Sequence, residues 1–474
     1  MRANRFQGIL IAALLISGCA SMRYDSKMSN TTNHLKSGNI DQALADLESN
    51  NPSQDKGLLY YMEKGELQQI KGSYADSRDT WLEADRLVRQ WEDQVKTDPS
   101  KLMGNIGSFL VNDTTRRYDG RDYEKILLNV ELALDHLALN HWDNARIEMT
   151  KMHEREAIIA EFRAKELEDA KENAKSKGIK ATSFKELKGY PVETLEAPEV
   201  RELKNSYESA FANYLAGFVY ESLGEVSLAS PGYRRAAEMR PNIPMIDEGL
   251  RGLDERIRDP HREAVDTLFV IETDFAPAIH SQQFGLFLPI PCKRGLCPEL
   301  VQISWPVIKP MAASALMSSI SVDADSIPVA MMTSVDAMAR RALSDEMPVI
   351  IARTAIRAIA KAAVQKGIDD KTADMGLPGL IVSLGAKVGT AVSEQADERA
   401  WRTLPGFYSI ARAKLPAGPH KIRIQSGGGE LVQEAEVSGR YALVFLRLLG
   451  GRIYPPKFSD VNVRASPVAA GKEH

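Results

Sequence analysis

A frame of small residues recurs in the first half of this 474-residue chain and constrains its fold more than any other feature. The clearest copy spans residues 210–241 and contains Gly217, Tyr220, Gly224, Val226, Ala229, Tyr233 and Ala236. A small residue where two helices cross lets the backbones approach closely, and a large residue fills the space toward the next pair. Each copy therefore predicts two helices joined by a tight turn.

Three further copies support this interpretation. One contains Gly65, Gly72, Tyr74, Ser77, Trp81 and Ala84, and weaker ones contain Gly38, Ile40, Ala43 and Leu47, or Ala133, Asn140, Trp142, Ala145 and Met149. Gly38 and Gly72 are 34 residues apart, the length of one tetratricopeptide unit. The frames resemble tetratricopeptide repeats, which implies a stack of helix pairs with a concave face suited to proteins or peptides. A generic array of helical hairpins is the alternative.

Two segments interrupt the frames. Near residues 155–200 the chain is highly charged, and its composition over residues 161–177 predicts a long exposed helix that ends before Gly178, or a disordered segment. Residues 112–124 are polar and contain Tyr118 and Tyr123. They could form a binding loop, but a connector whose tyrosines pack on neighbouring helices is the favoured interpretation.

The pattern changes after Pro260. Apolar runs predict strands over residues 264–271, 284–290 and 300–308, and a hairpin around the glycines at 427–429, followed by a strand over 441–449. Helical spacing is found over residues 348–365 and 380–395. We therefore expect an α+β chain in which a helical array (19–259) precedes a β-sandwich-like module (260–474) with inserted helices near 348–395.

The amino terminus has the pattern of an export signal. Arg2 and Arg5 precede an apolar stretch over residues 8–16 and a cysteine, Cys19. The small residues before Cys19 resemble a bacterial lipobox, which implies removal of residues 1–18 and attachment of fatty acids such as palmitate to Cys19. Ala20, not aspartate, follows, which favours the periplasmic face of the outer membrane. The alternative is an ordinary secretory signal with an incidental cysteine.

The other two cysteines, Cys292 and Cys297, lie close together in sequence. In an oxidising periplasm such a pair predicts a disulfide, with two free thiols as the alternative. A metal site would need more ligands than this segment offers. We therefore predict neither a metal nor a cofactor.

No catalytic motif is recognisable. The eight histidines are scattered, His153 begins a zincin-like helix without its second histidine, and there is neither a G-x-S-x-G elbow nor a P-loop. We name no catalytic residue, and whether the chain is an enzyme stays open, with the non-enzymatic interpretation preferred. The formal charge of −4, or −6 without Arg2 and Arg5, gives no reason to expect nucleic acid or an anionic bilayer as a partner.

The most suggestive polar cluster contains Arg399, Trp401 and Arg402 beside Asp397 and Glu398. Trp401 could stack on a sugar while the arginines bind carboxylates. The favoured alternative is a junction in which Trp401 fills the core and the charges pair locally. On another predicted helix, Arg353, Arg357 and Lys361 share one face, where they either pair with acidic groups or meet solvent.

Several segments together resemble a poorly characterised family of proteobacterial outer-membrane lipoproteins. They are residues 274–277, 352–361 and 396–405, the Tyr-Asp-Gly stretch at 118–120 and the lipobox. The resemblance implies tetratricopeptide-like repeats, a C-terminal β-rich region and a neighbourhood of lipoproteins that activate penicillin-binding proteins. It brings no catalytic motif.

We therefore expect a protein-binding scaffold in envelope assembly or maintenance, anchored to the outer membrane. Its expected partners are periplasmic or outer-membrane proteins, including the peptidoglycan-synthesis machinery. The alternative is an envelope hydrolase, or a direct regulator of peptidoglycan synthesis, with its site in the C-terminal module.

Overall fold

A computed structural model describes most of the chain as mixed helix and sheet. The described residues are 23–54, 56–98, 117–176, 183–258, 263–292, 295–312, 317–365, 396–426 and 429–454. The predicted signal peptide, Cys19 and the predicted helix over residues 380–395 lie outside these ranges. No helix in the described part of the chain has both the length and the hydropathy that a membrane span requires.

The first half consists of helices, and each copy of the small-residue frame falls on two consecutive ones. These pairs are α1 (Tyr24–Ser37) with α2 (Ile40–Ser49), α3 (Leu58–Lys71) with α4 (Tyr74–Thr97), and α5 (Asp122–Ala138) with α6 (Trp142–Ser176). After the short helices α7 (Val192–Leu195) and α8 (Pro198–Arg201), the fourth pair is α9 (Ala210–Ser222) with α10 (Val226–Met239). Two short helices, α11 (Pro244–Leu250) and α12 (Leu253–Arg258), follow.

Small residues allow close contact within the pairs, as the frame predicts. A Cβ atom at Gly217 would lie 2.8 Å from the ring Cδ1 of Tyr233. A Cβ at Gly65 would overlap the indole of Trp81, whose Nε1 donates to the carbonyl of Met62 at 3.0 Å. In these two frames the large residue therefore packs directly on the glycine of the partner helix.

The charged segment after residue 155 is not a separate insertion, because it continues helix α6 without a break to Ser176. Nor is this helix exposed on all sides. Arg155, Phe162 and Glu166 are buried, and Phe162 packs edge-on against Trp91 with ring centroids 5.4 Å apart. The polar composition hides this buried stripe, since Arg155 and Glu166 are charged and form ion pairs.

The described residues of the second half form eleven strands. They are β1 (Val265–Phe275), β2 (Ile279–Cys292), β3 (Gly295–Ile308), β4 (Ser319–Val322), β5 (Asp325–Pro328), β6 (Ala330–Ser334), β7 (Pro405–Leu415), β8 (Gly418–Ser426), β9 (Gly429–Val437), β10 (Tyr441–Leu449) and β11 (Arg452–Tyr454). A five-stranded sheet has the order β11-β10-β1-β7-β6, and a four-stranded sheet has the order β5-β4-β8-β9. Strands β2 and β3 form a separate hairpin. In the five-stranded sheet, β1 is parallel to β10 and antiparallel to β7.

The five-stranded sheet is buried on both faces. Leu268 and Val270 of β1 belong to a hydrophobic cluster shared with the helices, whereas Phe269 and Ile271 belong to a cluster shared with the four-stranded sheet. Successive strand residues point to opposite faces, so β1 connects two layers of core. The halves that the sequence separates at residue 260 therefore share one continuous hydrophobic core.

Helix α13 (Val335–Gln365) begins thirteen residues earlier than the periodicity predicts, and Pro348 lies inside it. A proline within a helix removes one backbone hydrogen bond and usually marks a boundary. Here Met347, Ile351 and Ala355 around it are buried in the main core. Tertiary packing thus holds the helix together through the proline.

Candidate anion-binding pocket

A polar cavity of about 190 Å³ lies where both halves of the chain meet. The connector before α5, helices α6 and α13, strand β3 and the segment before β7 contribute to it. Its charged lining consists of six arginines and three carboxylates: Arg117, Arg121, Arg163, Arg353, Arg357 and Arg399 with Asp119, Glu346 and Asp397. We call this cavity the arginine pocket.

The arginine pocket brings together three segments that the sequence analysis singled out separately. These are the Tyr-Asp-Gly connector, the helical segment 352–361 and the segment 396–405. Arg121 joins them, because it donates to the carboxylate of Glu346 at 2.9 Å and makes longer contacts of 3.4 and 3.5 Å with the carbonyls of Asp397 and Arg399. Chain segments more than 200 residues apart therefore form one wall.

Glu124 in the first turn of α5 positions this wall. Its carboxylate accepts hydrogen bonds from the backbone N–H of Arg121 at 2.9 Å, the hydroxyl of Tyr118 at 2.5 Å and the backbone N–H of Trp401 at 2.7 Å. Burial raises the pKa of Glu124, while these donors oppose the rise. A single buried side chain thus fixes the connector to the segment before β7.

An ion-pair network forms the floor. Arg163 contacts Asp122 at 2.5 Å, Glu166 at 2.6 Å and Glu346 at 3.0 Å, and Arg353 contacts Glu166 at 2.8 Å. Burial opposes ionisation of Asp122 and Glu166, but the charge of Arg163 lowers the pKa of both carboxyls. The floor therefore remains charged and rigid at neutral pH.

Two of the lining arginines, Arg117 and Arg121, have N–H donors that are not bound to a carboxylate within the described residues. Arg117 is exposed, donates to the side-chain amide of Gln90 at 3.3 Å and has no carboxylate partner within the described residues. The Nε of Arg121 is buried without a hydrogen-bond partner. Guanidinium groups bind carboxylate and phosphate through paired N–H donors, so the arrangement suits an anion.

Of the predicted binding residues, Arg399 and Tyr118 line the arginine pocket. The guanidinium of Arg399 donates to Asp397 at 2.7 Å and lies over the Tyr118 ring, 5.3 Å from its centroid. Tyr123 is 1% exposed and belongs to the core. Of the two tyrosines in the connector, one thus faces the cavity and the other packs as the connector interpretation describes.

Trp401 and Arg402 do not reach the cavity. Trp401 is fully buried and packs edge-on against Trp81, with ring centroids 5.8 Å apart. Arg402 pairs with Asp25 at 2.9 Å and donates to the carbonyl of Ala276. The indole therefore has no exposed face on which a sugar could stack, as the junction alternative expects, whereas Arg402 pairs with a residue 377 positions away and not locally.

Sequence reasoning did not identify Arg117, Arg121, Arg163 or Glu346 as site residues. Arg353 was expected to pair with acidic groups or to meet solvent, and it pairs with Glu166 on another helix. Two features of the sequence could have indicated this site. One is the spacing that places Arg353 and Arg357 on one helical face, and the other is the group of arginines in the connector. Their convergence depends on contacts between distant segments.

The described residues show only one end of the predicted disulfide. Cys297 is disulfide-bonded, and the β2–β3 register places Cys292 opposite Gly295 and Ile290 opposite Cys297. The Cys292–Cys297 pairing itself stays a prediction. Among the described residues, no group of three or more His, Cys, Asp or Glu side chains has the arrangement of a metal site.

A second charged cluster lies in the core between the helices and the five-stranded sheet. Four fully buried carboxylates surround one fully buried arginine: Glu66, Glu131, Asp135 and Glu272 with Arg447. Arg447 Nε lies 3.4 Å from Glu66 and 3.9 Å from Glu272. Burial raises the pKa of all four carboxyls, that of Glu131 to about 7. We call this group the buried carboxylate cluster.

Comparisons with known proteins give little help. No protein-family model matches the chain, and no curated protein matches it. A solved structure, of a tetratricopeptide repeat protein from Parabacteroides merdae, is 12% identical and aligns with 49% of this chain and 98% of its own, with a TM-score of 0.14. At that TM-score the likeness carries no weight for the fold.

Proposed function

We propose that this protein is an outer-membrane lipoprotein on the periplasmic side, acting as a protein-binding scaffold in envelope assembly or maintenance. The lipobox at Cys19, the tetratricopeptide-like frames and the resemblance to proteobacterial outer-membrane lipoproteins support the proposal. Its partners would be periplasmic or outer-membrane proteins, including the peptidoglycan-synthesis machinery. The arrangement of a stacked helical array on a β-sandwich is part of this proposal.

The observation that carries it is the attachment of the chain start to the C-terminal half. Asp25 pairs with Arg402 at 2.9 Å, and Tyr24 donates its hydroxyl at 2.9 Å to Glu63, which also accepts from the backbone N–H groups of Arg402 and Thr403. Three residues lie between Cys19 and Arg23, so an acylated Cys19 would be at most about 14 Å away. The whole body would thus be held at the membrane, which raises its effective concentration for partners there.

The array would bind its partner through its outer surface, because the five-stranded sheet covers the inner side of α5 and α9. Both helices are buried along their whole length. Two large apolar side chains remain exposed on neighbouring array helices, Ile147 (48%) and Leu228 (41%). The pair Arg146–Glu225, at 2.8 Å, holds these helices together beside them.

The alternative function is an envelope hydrolase or a direct regulator of peptidoglycan synthesis. Hydrolysis would require a carboxylate or another base that is free to react, whereas Glu346 and Asp397 of the lining are both paired with arginines. Its arginines suit binding better than bond cleavage. A regulator that binds an anionic ligand in this pocket keeps its place as the second candidate.

Site-specific photo-crosslinking in the intact envelope tests the scaffold. A photoreactive amino acid would replace Ile147 or Leu228 on the array, with Phe287 (63% exposed) and Val432 (45% exposed) as matched apolar positions on the β-rich half. We expect a discrete protein adduct from the array positions alone. Adducts from Phe287 or Val432 only would mean that the array is not the binding element.

A further inference from the structure

We propose that the arginine pocket binds the phosphate group of a membrane-lipid headgroup. Anion binding follows from the pocket itself, whereas the lipid source rests on the proposed anchoring at Cys19. Three features of the pocket favour a phosphate that carries a polar headgroup. They are the arginine N–H donors that are not bound to a carboxylate, the carboxylates that lie among the arginines, and the short distance to the proposed anchor.

Arg117 and Arg121 provide donors for the phosphate. Arg121 holds one short contact to Glu346, two carbonyl contacts of 3.4 and 3.5 Å and a buried Nε without a hydrogen-bond partner. A phosphate oxygen would be a stronger acceptor than those carbonyls because charge-assisted bonds are shorter and stronger than neutral ones. Arg117 lies exposed on the same wall without a carboxylate partner among the described residues.

The carboxylates in the lining narrow the ligand class. Asp119, Glu346 and Asp397 lie among the arginines, so a ligand that is negative over its whole surface would meet repulsion. A headgroup combines a phosphate with hydroxyl or ammonium groups, which can donate hydrogen bonds to these carboxylates. Tyr118 and Ile350 add apolar surface for the carbon atoms between them.

The pocket lies close to the proposed anchor. Nε of Arg23, in the first described residue, is 3.8 Å from the carboxylate of Glu398. The chain neighbours of Glu398 on either side, Asp397 and Arg399, both line the pocket. With at most about 14 Å of chain between Cys19 and Arg23, the rim would lie within reach of headgroups in the anchoring leaflet.

General electrostatic adsorption would not imitate this binding. Without residues 1–18 the chain has a formal charge of −6, which disfavours attraction to an anionic surface. The net charge therefore gives no reason to expect general adsorption to an anionic surface, while a local pocket for one headgroup is compatible with it. Vesicle binding by the chain without its own lipid would report on the pocket.

The test uses the mature chain from Ala20, which retains every described residue but lacks the acylated cysteine. Sedimentation with vesicles of phosphatidylethanolamine and phosphatidylglycerol measures binding. The test variant carries Arg117→Gln and Arg399→Gln. The control carries Arg86→Gln and Arg234→Gln, which remove the same charge from exposed positions outside the pocket.

We expect the test variant to bind these vesicles at least about tenfold more weakly, since the pocket loses the donor Arg117 and the positive charge of Arg399. The control should bind like the unmodified chain, and glycerol phosphate should compete. Arg117→Gln alone, at an exposed position, should lower the affinity for the vesicles severalfold. This single variant replaces the double variant in the test if the double variant unfolds at a clearly lower temperature than the unmodified chain.

Three results would overturn the proposal. Equal losses in the test and control variants would mean general electrostatics, and no vesicle binding at all would mean no headgroup site. Pocket-dependent binding of glycerol phosphate or of an acidic peptide without vesicle binding would assign the pocket to a soluble anion or to a protein segment. Mass spectrometry of the native amino terminus tests the anchoring independently, so the two failures can be told apart.

Discussion

Glu63 and Thr403, 340 residues apart, are joined by two hydrogen bonds in the core. The carboxylate of Glu63 accepts from the backbone N–H of Thr403 at 3.0 Å and from its hydroxyl at 2.5 Å. It also accepts from the backbone N–H of Arg402 at 2.8 Å. Glu63 is fully buried, so the helical half cannot leave the β-rich half without stranding these groups.

Glu63→Ala should destabilise the protein by about 3–5 kcal/mol, because it strands several buried donors and leaves a cavity. Urea denaturation measures this free energy of unfolding. Glu83→Ala on α4, whose side chain is half exposed, is the control and should cost about 1 kcal/mol or less. Similar values for the two variants would show that Glu63 does not hold the halves together.

The buried carboxylate cluster should make stability fall as pH rises. Burial raises the pKa of Glu131 from 4.5 to about 7, so the folded state binds the proton more tightly than the unfolded state does. The resulting loss begins above the unfolded pKa and is complete once pH exceeds the folded value. Glu131→Gln removes this titration.

Denaturation at pH 5, 6, 7 and 8 tests this pH dependence. As pH rises from 5 to 8, the free energy of unfolding of Glu131→Gln should increase by up to about 3 kcal/mol relative to that of the unmodified protein. Glu83→Gln, at an exposed site, should follow the unmodified curve. Parallel curves for the Glu131 variant and the unmodified protein would contradict the assignment.

Gly232→Ala should disturb the fourth helix pair. A Cβ at Gly232 would lie 2.8 Å from the carbonyl oxygen of Asn213 and 2.9 Å from the backbone nitrogen of Gly217, and neither backbone atom can swing away. We expect a cost of about 1–3 kcal/mol through overpacking. Gly57→Ala is the control, because a Cβ there meets nothing within 4 Å. If both variants lowered the temperature of thermal unfolding equally, the close-contact explanation would be refuted.

Cys19→Ser should abolish lipidation, since serine cannot form the thioether. Intact-mass analysis of the membrane-extracted protein should show an acylated amino terminus that the variant lacks. An unmodified native protein that is released without detergent would eliminate the anchor.

Cys292 and Cys297 should be oxidised together in the exported protein. Alkylation under denaturing, non-reducing conditions should leave both unmodified, and peptide mass spectrometry should recover them linked. Replacing both by serine should cost about 2 kcal/mol or less, because so short a loop constrains the unfolded chain only weakly. Recovery of either peptide with a free thiol would contradict the pairing.

The local elements were predictable because their signals lie within a few dozen residues. The spacing of Gly65 with Trp81 and of Gly217 with Tyr233 indicates paired helices, since each glycine receives the large residue of the next helix. Apolar runs predicted parts of β1, β2, β3 and β10. Even so, the sequence predicted too short a helix at α13, because a proline such as Pro348 usually marks a helix boundary. Packing of the residues around Pro348 in the core stabilises the longer helix.

The sequence by itself thus determined the helix pairs and the change to strands after residue 260, and it predicts a signal ending at Cys19. The tertiary structure decided which segments meet. It placed Glu124 against the backbone of Trp401 and Arg121 against Glu346, partners 277 and 225 residues apart. It also buried Trp401 while leaving Arg399 in the pocket wall. Periodicity records which face of an element is apolar, but it holds no information on which distant element will cover that face.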